Sequence, residues 1–104
     1  MIFKLDITDF DFHEGAIIWD VRDAAAYAEG HVHGAVNRPL NTLDDGCLTF
    51  VAADCPIYVV CGGGSKAPRA AEKLEALDPN REYVVLMGGT RAARAAGMPV
   101  VSSL

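Results

Sequence analysis

The sequence lacks any run approaching the ~20 consecutive apolar residues that a membrane-spanning helix requires. Its first residues, Met1-Ile2-Phe3-Lys4-Leu5-Asp6, lack the basic start and apolar run of a secretory signal. No membrane partner and a cytoplasmic setting are therefore expected. The chain also lacks a surplus of positive charge. Nine Lys and Arg against 14 Asp and Glu give a formal charge of −5, which argues against nucleic acid, a partner bound through clustered cations that neutralise phosphates. Internal repeats, low-complexity tracts and a GxxxxGK[ST] phosphate loop are absent as well. The three cysteines, Cys47, Cys55 and Cys61, form neither a CxxC pair nor a zinc-ligand spacing. His13, His31 and His33 add no ligand pattern with a Cys or carboxylate, so no metal is expected. Three is an odd number, so at least one thiol is free.

What is present describes an ordinary globular domain: 104 residues, 51% hydrophobic and 22% charged. Residues 1–104 are expected to form one domain with a single core. Short apolar runs at Ala16–Val21, Pro56–Val60 and Glu82–Met87 read as buried strands. Between the last two, Ala70, Ala71, Leu74 and Leu77 recur at helical spacing, which predicts an amphipathic helix over Pro68–Leu77 with Pro68 in its first turn. Shorter helices are predicted at Asp23–Glu29, ended by Gly30, and at Thr90–Ala96, with Thr90 as cap and Gly97 at the end. Ile2–Leu5 suits an edge strand, and Asn41–Asp54 a loop with one short helix. Strands without polar alternation, separated by helices, predict an α/β fold with a mostly parallel sheet covered on both faces. Ligands in such sheets bind beyond the carboxyl ends of the strands. Asp20 and Cys61 both directly follow the apolar residues of a predicted strand and belong on that edge.

The stretch Val59-Val60-Cys61-Gly62-Gly63-Gly64-Ser65-Lys66-Ala67 supports two readings. In one, Cys61 is a core thiol beside a turn. In the other, the glycines let the backbone N–H groups curl around an anion at a helix N-terminus. The same amides, with Lys66 nearby, would stabilise a Cys61 thiolate.

Trp19 to Leu40, WDVRDAAAYAEGHVHGAVNRPL, resembles the N-terminal signature of rhodanese-like domains. YVVCGGGSKAPRAAEKL resembles their active-site strand, loop and helix, and YVVLMGGTRAARAAGMPV their closing segment, in family order. The resemblance implies a central parallel sheet of about five strands with helices around it. It implies that Cys61 accepts a sulfane sulfur from a small anionic donor such as thiosulfate and passes it to a thiol acceptor, on a small molecule or a protein. It assigns the nucleophile to Cys61 and the oxyanion-binding amides to Gly62, Gly63, Gly64, Ser65 and Lys66. Asp20 would brace the loop by hydrogen bonds, while Arg22 and His31 would be structural. This chemistry needs no general base, metal or organic cofactor.

The loop departs from the family pattern where Gly62 and Lys66 replace arginines and Ala67 replaces Ser or Thr. Lys66 keeps a charge but not the planar fork that grips an oxyanion, so weaker thiosulfate binding is expected. Ala26, His33 and Ala93 depart from the family's acidic residue, Pro and Trp, as changes of packing or pairing. A persulfide carrier or noncatalytic interaction module is an alternative. A Cys-dependent phosphatase or arsenate reductase is disfavoured, because the sixth residue after the cysteine is Ala67 and not Arg. Cys47 and Cys55 read as core or surface thiols, with Cys55 a resolving thiol if the fold brings it near Cys61. Arg91 and Arg94 read as a solvated helix face.

Overall fold

The computed structural model describes residues 1–104. Its elements run β1 (Ile2–Asp6), β2 (Ile17–Asp20), α1 (Ala24–Glu29), β3 (His31–Val32), β4 (Val36–Asn37), α2 (Asp45–Leu48), β5 (Ile57–Val60), α3 (Lys66–Leu77), β6 (Tyr83–Met87), α4 (Gly89–Ala95) and β7 (Val100–Val101). Single 3-10 turns at Ile7–Asp9 and Leu40–Thr42 complete the connections. The apolar runs do form the sheet. Five strands in the order β1-β6-β5-β2-β4 pair in parallel throughout.

Both faces of the sheet are buried because alternate residues of each strand enter different cores. Trp19, Ile57, Val59, Tyr83 and Val85 meet Ala67, Ala70, Ala71 and Leu74 of α3 and Cys47 and Leu48 of α2. Ile18, Val60 and Leu86 meet Ile7, Phe10 and Ala93 of α4, with Tyr27 of α1 packed against them. The α3 stripe at positions 67, 70, 71 and 74 is one helical face. Three alanines let the helix approach the sheet closely, and Leu74, fully buried, contributes about 2 kcal/mol of transfer free energy.

The helix predicted from Pro68 begins two residues earlier, with Ser65 at its N-cap position, and Pro68 falls within its first turn, where a missing N–H costs no bond. The expected cap at Thr90 is not one. Gly88, at φ 90°, is the N-cap residue of α4, and Thr90 is buried inside the first turn. Two small features escape a reading by periodicity. β3 and β7 make a separate antiparallel pair, and β4 adds an edge to the main sheet beside β2. The stretch Asn41–Asp54 holds the short helix α2. Buried Arg81 fastens this region, donating to the carbonyls of Ala52 at 2.6 Å, Val51 at 3.0 Å and Leu48 at 3.4 Å. No helix is long and apolar enough to cross a membrane.

Candidate active site

Cys61 follows the last residue of β5, which lies between β2 and β6 in the sheet. Its side chain packs on the α3 side with Val21 and Ala67, and the residue is 4% exposed. The thiol lies 3.6 Å from the Gly64 carbonyl oxygen, which accepts from it. Beyond it, the backbone N–H groups of Gly62, Gly63, Gly64 and Ser65 donate to no carbonyl within the protein. The first amides of α3, a helix of 12 residues, likewise have no intrahelical acceptor. The segment that follows Cys61 thus presents unused donors together with the positive end of a helix dipole, groups that favour a bound anion. Of the three loop glycines only Gly63 has positive φ, 133°.

The loop rests on the start of α4, a support that the sequence reading missed. Thr90 donates its N–H to the Cys61 carbonyl at 2.8 Å, and its hydroxyl donates to the same oxygen at 3.2 Å. Arg91 donates its N–H to the Gly62 carbonyl at 3.2 Å. Gly89 is the contact point: a Cβ there would overlap the Cys61 carbonyl oxygen and lie 2.6 Å from Gly63 N. The signal for this support was the Gly88-Gly89-Thr90 string directly after a strand. Only the adjacency of β5 and β6 gives it a partner.

Asp20 does not brace the loop as expected. All of its carboxylate bonds go to Arg22, which donates from its backbone N–H at 3.1 Å, from Nε at 3.0 Å and from Nη2 at 2.8 Å. The reason is strand alternation: Trp19 and Val21 face α3 with Cys61, so Asp20 faces the opposite side. Hydrogen bonding to Asp20 holds Arg22 above the ordinary guanidinium value. Arg22 Nη2 also donates to the Gly30 carbonyl at 2.7 Å. Its Cδ lies 3.7 Å from the position of a Cβ on Gly62, and Cys61 adds a smaller electrostatic contribution to the raised Arg22 value. His31 is structural: its Nδ1 donates to the Tyr27 carbonyl at 2.8 Å, and its ring stacks on the Tyr27 ring at 3.7 Å.

Lys66 and Cys61 border different spaces. Lys66 lines a cleft of about 560 Å³ with Val21, Asp23, Leu40, Arg69 and Lys73. Cys61 borders a cavity of about 30 Å³ with Gly63, Gly64, Gly88 and Gly89. Cys55 precedes β5 where Cys61 follows it, so the strand separates them by on the order of 20 Å. A resolving role within one chain is thereby removed. Cys47 is buried, its thiol donating to the Asp44 carbonyl at 3.0 Å. No group of three His, Cys, Asp or Glu side chains converges as a metal site.

Residues 7–96 match the family described as the rhodanese-like domain. Among curated proteins, a thiosulfate sulfurtransferase GlpE from Pseudomonas entomophila is 38% identical over 61 residues, covering 59% of this chain and 55% of that protein. The aligned part thus spans about half the length of such relatives. The crystal structure of the BH2092 protein from Bacillus halodurans superposes with a TM-score of 0.87 at 29% identity, covering 98% of this chain and 78% of that one. The rhodanese-like domain of the Alr3790 protein from Anabaena sp. gives a TM-score of 0.74 at 30% identity, covering 84% of this chain and 65% of that one. With a parallel five-stranded sheet and a cysteine loop between its central strand and α3, the chain belongs to the rhodanese-like domain family.

Proposed function

We propose that the protein is a sulfurtransferase that moves a sulfane sulfur from thiosulfate or another persulfide donor to a thiol through a Cys61 persulfide. The observation that carries the reading is that Cys61, at the end of the central strand, is followed by four backbone amides, Gly62–Ser65, that have no acceptor of their own. Its resemblance to thiosulfate sulfurtransferases supports the same reading.

The Cys61 thiolate attacks the outer sulfur of thiosulfate. A Cys–S bond to that sulfur forms, the bond between the two thiosulfate sulfurs breaks, and its electron pair leaves with sulfite. The product persulfide carries the same single negative charge as the thiolate, so the step needs no proton and no external oxidant. Gly62, Gly63, Gly64, Ser65 and the first amide of α3, at Lys66, stabilise the charge on the leaving oxygens and then on the terminal sulfur. An acceptor thiolate next attacks the terminal sulfur, takes it as its own persulfide, and releases the Cys61 thiolate.

Incubation with thiosulfate tests the reading by mass spectrometry. Release of sulfite with a gain of one sulfur atom is expected, absent in Cys61→Ser and retained in Cys55→Ser. Absence of any adduct with thiosulfate or with a persulfide donor overturns it, as does phosphatase turnover in place of sulfur transfer.

A further inference from the structure

Residues 61–65 carry no charged side chain, and the Lys66 side chain lines the cleft beside Val21 and Asp23. α4 brings a guanidinium to the loop in addition to that of Arg22. A Cβ placed on Gly63 would lie 3.7 Å from Arg91 Cβ and 3.9 Å from Arg91 Nη1, so the Arg91 side chain lies along the loop backbone at Gly63. The position is fixed from below, because the Arg91 N–H is bonded to Gly62 and the preceding residue to Cys61. Arg91 is exposed and has no carboxylate in ion-pair reach; the chain's three ion pairs involve Met1 with Glu75, Arg22 with Asp20, and Arg81 with Asp78. Arg22, whose stem also touches the loop, is already neutralised by Asp20. Arg94, one helical turn on, is crowded against Gly30 instead.

We propose that Arg91 is a specificity-determining residue that binds the anionic leaving portion of the sulfur donor, selecting sulfonate-type donors over persulfides that lack that second charge. The assignment rests on the sulfurtransferase reading. A guanidinium presents two N–H groups to two oxygens of a sulfonate and cannot pair in that way with a lone terminal sulfur. An exposed cation of this kind contributes through ground-state binding, so its removal acts on KM more than on kcat, and salt weakens it.

The test compares wild type, Arg91→Gln, Arg91→Lys and Arg94→Gln. With thiosulfate at low ionic strength, Arg91→Gln is expected to raise KM roughly three- to tenfold at nearly constant kcat. Arg91→Lys is expected to recover part of the loss, and Arg94→Gln to match wild type. With a neutral-bodied alkyl persulfide as donor, Arg91→Gln and wild type are expected to agree. An unchanged thiosulfate KM in Arg91→Gln, or an equal loss with both donors, overturns the assignment. Titration of thiosulfate into Cys61→Ser and Cys61→Ser/Arg91→Gln by calorimetry decides the matter independently of turnover: weaker binding in the double variant supports the role of Arg91 even if the wild type forms no persulfide, and equal binding or none overturns it.

Discussion

The carbonyl oxygen of Cys61 accepts two hydrogen bonds from one residue, the N–H of Thr90 at 2.8 Å and its hydroxyl at 3.2 Å. The loop cysteine is therefore held through its backbone by the helix that follows the neighbouring strand. Its thiol makes a single hydrogen bond, to the Gly64 carbonyl at 3.6 Å.

Replacing Thr90 by Val keeps the shape and removes the hydroxyl while leaving the backbone bond. A loss of about 1 kcal/mol in urea unfolding is expected, with the rate of Cys61 modification by an alkylating thiol reagent changed by less than severalfold. A loss near zero shows that the 3.2 Å hydroxyl contact contributes nothing.

Gly89→Ala is expected to be far more damaging. Its Cβ meets the Cys61 carbonyl oxygen, lies 2.9 Å from Gly62 C, and sits on a backbone at φ 61°. The neighbours are backbone atoms that cannot rotate away, so overpacking and a disfavoured conformation add to a loss of about 2–4 kcal/mol. Sulfur transfer should fall with it, because the loop itself must shift. A folded Gly89→Ala protein with wild-type stability contradicts the close approach of α4.

Asp20→Ala leaves the Arg22 guanidinium with only the Gly30 carbonyl. A loss on the order of 3 kcal/mol is expected, and the double variant Asp20→Ala/Arg22→Met should recover part of it, since both charges are then gone. Because Asp20 makes no bond to the loop, folded protein carrying both substitutions should retain thiosulfate turnover within about tenfold of wild type. A complete loss of turnover in that folded variant would show that the Asp20–Arg22 pair acts on the loop.

Tyr83 sets an alkaline limit. Its hydroxyl donates to the Asp78 carbonyl at 2.7 Å and the Leu74 carbonyl at 3.1 Å, and burial pushes its pKa from 10.0 up to about 12. Below pH 10 the phenol is neutral in both states and its contribution is complete. As pH rises from there toward 12, the unfolded chain releases the proton and the folded one retains it, so stability falls. Tyr83→Phe should flatten that fall in urea midpoints between pH 9 and pH 11.5. Some slope should persist, because burial raises the Tyr27 pKa as well. Identical slopes in the two proteins would refute the assignment.

The segment from β5 through the loop to α3 was legible in the sequence because its signals are local. An apolar run stops at Cys61, glycines follow, and helical spacing begins at once. The support from Gly89 and Thr90 was not legible, since it exists only where β6 is placed beside β5. Asp20 was placed correctly at a strand end but given the wrong partner. With both faces of β2 buried there is no polar alternation to say which way its carboxylate turns. β3, β4 and β7 are two residues long and carry no period to detect. The −5 charge of the whole chain gave no hint of the cations gathered beside the loop and along α3.

The loop's own amides lack acceptors and so carry no protection against exchange with solvent deuterium, whether the loop is closed or open. Its clock lies in α4. The Thr90 and Arg91 amides are covered only while the carbonyls of Cys61 and Gly62 stay in place, so their deuterium uptake times the release of the cysteine loop from its support without any label on the cysteine.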